Sequence, residues 1–293
     1  MKKVVIAGGT GFIGRYLVNR FEEAGYRVLI ISRHPEHVSW KPIDLTEAFE
    51  DAELIINLAG TSINCRHTVE NKKAILNSRL NTTIWIGNAI LACVNPPKLW
   101  MNSSACGIYR ASVDQAMTEN ETELGSDFLA DVVKQWEHVF FAFHLSKTRR
   151  AVLRTSVVLG KKGGALLPLS RLSRIGLGGK LAQGTQMFSW IHIEDYYQII
   201  QFINENKNIK GILNCTSPGP LANKDFMSAI RKTLRIPFGI AAPAFAIELV
   251  AKLIGTEPEL ILNSSYVIPE RLIESGYKFA YPDIDKALRD LLK

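Results

Sequence analysis

Three glycines and a pair of hydroxyl side chains are the residues whose spacing could do chemistry. In "VVIAGGTGFIG", Gly8, Gly11 and Gly14 recur where an apolar run passes into a stretch of helical period. In a phosphate-binding turn such glycines divide the work: a tight reversal, close approach of backbone N–H groups to a pyrophosphate, and close packing of helix on strand. The context that this turn requires is present, a strand before it, a helix after it and a second strand on time, so Gly8, Gly11, Phe12, Ile13 and Gly14 are expected to meet a dinucleotide. Farther along, "MNSSACGIY" brings Ser103 and Ser104 to the end of the fourth apolar run and Tyr109 to the loop beyond it. Ser104 is the better placed to hydrogen-bond a substrate oxygen. Tyr109 is either a proton carrier, with Lys134 as a distant cationic partner, or a packing aromatic.

The second apolar run ends in "IISRHP". A site for an unphosphorylated ribose usually places Asp or Glu there, and this sequence places Arg33 beside Ser32. A guanidinium can hold a 2′-phosphate by charge-assisted bonds, so Ser32 and Arg33 predict NADP(H) rather than NAD, the alternative being a solvated surface arginine. The third run ends in "NLAG", whose small Ala59 and Gly60 let the chain pass close to the adenosine and phosphates. Asp44 fits either the adenine edge or a helix cap before Thr46. Cys65, Cys93, Cys106 and Cys215 are widely spaced with no CxxC pair. No metal site and no disulfide framework is expected, and buried thiols in a reducing cytoplasm fit that spacing.

These groups need a frame. The runs Val4–Ala7, Val28–Ile31, Leu54–Leu58, Leu99–Asn102 and Val152–Ser156 predict strands, and Phe12–Ala24, Val69–Cys93 and Asp127–His144 predict the helices that cross between them. Such alternation gives an α/β fold, a Rossmann-type doubly wound parallel sheet. Beyond Gly163 the rhythm loosens, with a strand expected near Phe188–Ile193, a helix after Glu194 and a strand at Ile212–Cys215. The expected division is a Rossmann domain of residues 1–160, to which 186–215 return, and a smaller α/β substrate-side domain of 161–185 and 216–293. The 293 residues, 47% hydrophobic, can bury a substantial core. The net charge of +7 is scattered and forms no basic arm, so no nucleic-acid partner is expected. The longest apolar stretch, "GIAAPAFAIELVAKLIG", is interrupted by Glu248 and Lys252 and falls short of the roughly 20 residues of a membrane span. No membrane partner is expected, and the protein is read as cytoplasmic.

The motifs "GGTGFIG", "SR", "NLAG", "SRLNTT", "LRTSVVLG", "GLGG", "WIHIEDY" and "YPDIDKALRDLL" follow one another nearly end to end. In that order the chain resembles the YfcH-like epimerase-family proteins, an atypical branch of the extended short-chain dehydrogenase/reductases sometimes labelled cell-division-inhibitor-like. The resemblance implies an extended Rossmann sheet, a small C-terminal substrate domain and NADP(H) binding. It further implies that Leu58 and Ala59 line the cofactor, that Arg79 lies near it, and that Val158 approaches its nicotinamide end.

The wider superfamily carries Tyr-x-x-x-Lys on the helix after the fourth strand, four residues apart so that an ammonium on the same face lowers the phenol pKa. Here that helix reads "DFLADVVKQWEH", with Phe128 or Leu129 for the Tyr and Val132 or Val133 for the Lys, a loss that the resembling family shares. Two readings stay open. One is an NADP-dependent epimerase or oxidoreductase with a relay rebuilt from Ser104, Tyr109 or water; the other is a non-catalytic NADP(H)-binding redox sensor or regulatory module. His192 and Asp195 of "SWIHIEDY" invite a catalytic reading, but the resemblance implies a structural strand-to-helix turn in which the acid caps the helix. Arg171, Arg174, Lys180, Gln186 and Trp190 could receive an unidentified, anionic small-molecule substrate or ligand, or form a solvated basic loop. Apolar residues around Val69–Cys93 and Asp127–His144, including Trp85, Trp136, Phe140 and Phe143, predict a homodimer through these helices unless they cover the sheet.

Overall fold

Short aliphatic runs alternating with amphipathic stretches favour one arrangement, parallel strands buried on both faces and joined by helical crossovers. The computed structural model describes residues 1–255 and 257–293, the side chains at 250, 253, 254 and 261 excepted. Its strands are β1 Lys3–Ala7, β2 Arg27–Ile31, β3 Leu54–Asn57, β4 Leu99–Ala105, β5 Arg149–Thr155, β6 Val157–Leu159, β7 Met187–Phe188, β8 Trp190–His192, β9 Gly211–Cys215 and β10 Leu221–Ala222. The helices are α1 Phe12–Glu23, α2 Pro42–Phe49, α3 Val69–Ala92, α4 Phe128–Ala142, α5 Leu166–Arg174, α6 Ile193–Glu205, α7 Asn223–Leu234, α8 Ala244–Ile254, α9 Glu259–Leu262, α10 Glu270–Glu274 and α11 Ile284–Leu292.

Six parallel strands make the central sheet in the order β2-β1-β3-β4-β5-β9. The chain reverses its direction of travel across the sheet between β1 and β3, the place where open α/β sheets leave a crevice at the carboxyl ends of their strands. Right-handed crossovers sort the helices onto two faces. Alternate residues Val4, Ile6, Leu54, Ile56, Met101 and Leu153 pack on one side with Leu17 and Phe21 of α1 and Ile199 and Ile203 of α6. Val5, Ile55, Trp100 and Val152 pack on the other with Leu45, Ile86 and Phe140 of α2, α3 and α4. On that second face Trp136 and Phe140 are buried, and Phe143 fills the notch at Gly87, where a Cβ would stand 2.4 Å from its ring. The apolar excess of α4 thus covers the sheet, Phe143 is partly buried, and among the aromatics named above only Trp85 is exposed.

A second core gathers Leu166, Phe226, Ile230 and Leu288 of α5, α7 and α11 against Leu159 and Trp190. The expected single strand at Phe188–Ile193 is two. Ser189 between them is buried, its hydroxyl donating to Ser265 O and accepting from Val267 N, so β7 turns to pair β10 while β8 pairs β6. After β8 the helix cap is His192, whose Nδ1 accepts from Glu194 N, and not the acid. Asp195 instead reaches the C-terminal segment: its buried carboxylate accepts from Ala280 N, Tyr281 N and the Tyr277 hydroxyl. Tyr281 in turn stacks on His192 with ring centroids 3.7 Å apart.

Burial pulls the His192 imidazole down to about 4, against the opposing pull of Asp290. A histidine with a depressed folded-state pKa contributes stability above its unfolded value of about 6.5, and that contribution is lost as pH falls toward 4. The shift corresponds to roughly 3 kcal/mol across that window. Thermal unfolding followed from pH 7 to pH 4.5 should therefore show a falling Tm that His192→Asn, which keeps a capping acceptor, flattens. A parallel fall in both proteins would assign the acid sensitivity elsewhere.

Candidate cofactor site and its polar neighbourhood

The turn between β1 and α1 is shaped by what it cannot contain. Gly8 has φ +80°, and a Cβ there would lie 3.0 Å from the backbone of both Leu58 and Ala59. Gly14 is tighter: its Cβ would fall 2.3 Å from Gly8 O and 2.7 Å from Gly9 Cα. Gly8 N–H donates to Ile31 O and Gly11 N–H to Gly8 O, which pins the turn to the ends of β1 and β2. The helix that follows has no side-chain cap at Gly11 and no acid in its first turn. Its leading N–H groups and positive dipole end face the crevice uncompensated, which suits a phosphate. Phe12 packs its ring on Gly160, Gly163 and Gly164, the last also tight against Val158 O, so the α1 start and the turn after β6 share one wall. Ile13 joins the core beside it.

Basic groups flank this cradle. Arg33 is exposed just beyond β2, while the Ser32 hydroxyl is engaged with His37 Nδ1 at 2.8 Å and His34 N at 2.9 Å. Arg79 of α3 lies against Gly60, its guanidinium carbon 3.2 Å from where a Cβ would be. It donates to Thr61 O and Ile75 O and stacks over Trp136. It has no acidic partner among the described residues, and burial pulls it down to about 10. A sequestered cation paired only with carbonyls retains attraction for an anion. Asp44, the candidate for the adenine edge, is in the first turn of α2 and accepts from the Ser39 hydroxyl, so it is held in a local turn.

Ser104 and Tyr109 are brought together, but inside the protein. The Ser104 hydroxyl donates to Glu137 Oε1 at 2.7 Å; Glu137 also accepts from Arg154 Nε at 2.9 Å and Nη2 at 2.8 Å. Arg154 Nη1 donates to the Tyr109 hydroxyl, which donates to Asn214 Oδ1 at 2.8 Å. Asn214 N–H reaches Glu119 Oε1. All but Glu119 are buried. Burial works against the Arg154 charge, and the Glu137 carboxylate overcomes it, holding the guanidinium above its ordinary range. Burial likewise pushes the Tyr109 phenol up to about 12, with Arg154 pulling the other way. A cavity of about 440 Å³ opens over the Glu137 and Arg154 pair, between α4 and β9, and none of its lining residues belongs to the glycine turn.

Lys134 is not the partner of Tyr109. Its ammonium points outward to Asp131 at 3.1 Å, and Arg154 takes the place expected for it. Where a helical Tyr and Lys would stand, Val132 and Val133 are buried, and Phe128 meets His67 edge-on at 5.3 Å under the Lys72 ammonium. Nor do the loop residues converge on a cleft. Trp190 is fully buried and donates to Gly219 O, Gln186 donates to Leu181 O, and Arg171, Arg174 and Lys180 are exposed. Glu137 and Arg154 are the residues that sequence reasoning passed over. The signal was an arginine inside the apolar strand "AVLRTSVV", since a charge buried there requires a charged partner.

Comparison with known proteins agrees with this geometry. Residues 4–215, the sheet with its glycine turn, match the model of the NAD dependent epimerase/dehydratase family, and residues 242–291 match a domain of unknown function. An epimerase family protein of Staphylococcus aureus (strain N315) is 32% identical over 302 residues, covering 100% of both chains. The crystal structure of a human epimerase family protein with NADPH superposes with TM-score 0.90 at 30% identity, over 99% of this chain and 98% of that one. A nucleoside-diphosphate sugar epimerase from Corynebacterium glutamicum gives TM-score 0.80 at 28% identity, over 99% of this chain and 58% of that one. With a glycine cradle at the switch point of a parallel sheet and a match spanning β1 to β9, the chain belongs to the NAD-dependent epimerase/dehydratase family.

Proposed function

We propose that this chain binds NADP(H) in the crevice between β1 and β3. The observation that carries the reading is the contact of Gly14 with Gly8 and Gly9, which leaves no room for a side chain and sets an uncapped helix end at the strand ends. Gly8, Gly11, Phe12, Ile13 and Gly14 would hold the pyrophosphate, with Leu58, Ala59 and Gly60 forming the floor and Arg79 adding positive charge. Ser32 and Arg33 would take the 2′-phosphate, and Val158 the nicotinamide end. The human relative's structure with NADPH supports this choice of cofactor. Bound there, the nicotinamide supplies hydride donation or acceptance, and its substrate would be an unidentified small molecule.

One observation favours a binding or sensing role over turnover. Both candidate hydroxyls are spent on a buried ion pair: Ser104 orients the Glu137 carboxylate, and Tyr109 bridges Arg154 to Asn214. Neither is placed to meet a substrate unless the network opens. A general acid or base typically contributes about 10²–10⁴-fold, and a site without one would turn over slowly.

Calorimetric titration should give NADPH at least a tenfold advantage over NADH, about 1.4 kcal/mol. Arg33→Asp should shift the balance toward NADH, and Gly14→Val should abolish binding of both. Equal affinities in the natural protein would remove the role assigned to Arg33.

Glu137→Ala strands Arg154 in the interior and should destabilise the protein by about 3–5 kcal/mol. Tyr109→Phe should lower Tm modestly and leave NADPH affinity unchanged. NADPH oxidation with sugar nucleotides, ketones and aldehydes should be very slow in the natural protein. Fast turnover lost in both Ser104→Ala and Tyr109→Phe would instead establish a rebuilt catalytic relay.

A further inference from the structure

The C-terminal unit exposes an apolar face whose charge surroundings are one-sided. The turn after α5, residues 175–182, and the segment 235–245 run side by side. Ile240 N–H donates to Gly176 O, Gly179 N–H to Ile240 O, Ala242 N–H to Lys180 O and Ala182 N–H to Ala242 O. Phe238 lies on Gly176, where a Cβ would fall 2.8 Å from its ring. With much of their backbone paired in this way, the two segments hold out Ile175, Leu177, Phe238, Ile240 and, in the first turn of α8, Phe245. Ile175 is 70%, Phe238 62% and Phe245 71% exposed, so these side chains stand out from the surface instead of lining a groove. Exposed apolar side chains presented by two paired segments in this way mark an interaction site on a globular protein.

Charge indicates the partner. The stretches 161–193 and 226–247 contain no Asp or Glu, and one acid, the exposed Glu248, stands a helical turn from Phe245 on α8 against the four cations. Arg171, Arg174, Lys180 and Arg235 are all exposed, and none pairs with an acid among the described residues. A second copy of this chain fits poorly, because a two-fold interface would set these cations against themselves.

We propose that this face docks the protein reversibly on an anionic bilayer surface, with the apolar tips among the upper acyl chains and the four cations at the lipid phosphates. Apolar tips ringed by Arg and Lys are what such a surface holds, by burial and by attraction together. The mutual pairing of the backbone between the tips also limits the polar groups that entry into the interface would strip of water. No helix among the described residues is long and apolar enough to cross a membrane. The sequence expectation of no membrane partner rested on span length, which does not bear on docking at a surface.

The test is co-sedimentation of the full chain with vesicles of phosphatidylcholine, with or without phosphatidylglycerol. Binding should be at least tenfold stronger to the mixed vesicles and should weaken with salt. The double variants Phe238→Ser/Phe245→Ser and Arg171→Gln/Arg174→Gln should each lower it by about tenfold. Both should keep the NADPH affinity and Tm of the natural protein, which separates this result from any failure of the cofactor reading. Equal binding to both vesicle types, or undiminished binding by the variants, overturns the proposal. No binding to anionic vesicles overturns it as well, and retention on immobilised polyglutamate would then point to an acidic protein partner.

Discussion

An arginine near the carboxyl end of β5, a parallel strand paired on both sides, is the constraint around which the middle of this protein is arranged. Arg154 has β4 on one side and β9 on the other, with its side chain buried. An isolated charge there would be prohibitive, and removing either member of such a pair is far more damaging than replacing both. Every neighbour answers that demand. Glu137 comes from α4, Ser104 from β4 steadies the carboxylate, Tyr109 takes a guanidinium N–H, and Asn214 receives the phenol proton. The network fixes the height of α4 over the sheet and the path of the loop after β4. It uses both of the hydroxyls, Ser104 and Tyr109, that the sequence offered for proton transfer.

The crevice depends on a different kind of constraint, the absence of side chains. Gly8 and Gly14 bring α1 within backbone contact of β1 and β3, and Gly60 leaves room for Arg79. Beyond β2 the sheet stops, since Val38 forms only a single bridge with Ile31. The loop 32–38 therefore folds back on itself at the edge, Ser32 N–H donating to Val38 O and Val38 N–H to Ile30 O, with Arg33 left exposed on it.

The glycine turn was legible because its logic is local: a strand, a turn and a helix within a dozen residues. The strands and long helices were legible for the same reason, their periodicity being written in consecutive residues. Even so, the fourth strand runs on to Ala105, because Ser103 to Ala105 pair with Leu153 to Thr155, a partner invisible in the local pattern. The network was not legible. Its hydrogen-bonded members lie up to 105 residues apart, and Arg154, which takes the place considered for Lys134, comes from a strand that the local pattern does not tie to Tyr109. At His192 the strand-to-helix turn was legible but its cap was not: His192 and not the acid caps the helix, and the work of Asp195 is done on residues 277–281.

That last link has a consequence for how the protein is made. α6 joins the nucleotide-binding sheet, but the carboxylate near its start finds its two backbone donors only in Ala280 and Tyr281, 85 and 86 residues downstream. At synthesis rates of about 5–20 residues per second, the wait is roughly 4–17 seconds. During that interval the sheet can assemble while Asp195 and the face of His192 that Tyr281 will cover remain open to water. The nascent domain closes over these groups only as residues 277–281 arrive, so a product truncated before them is left with a wet seam at the root of α6.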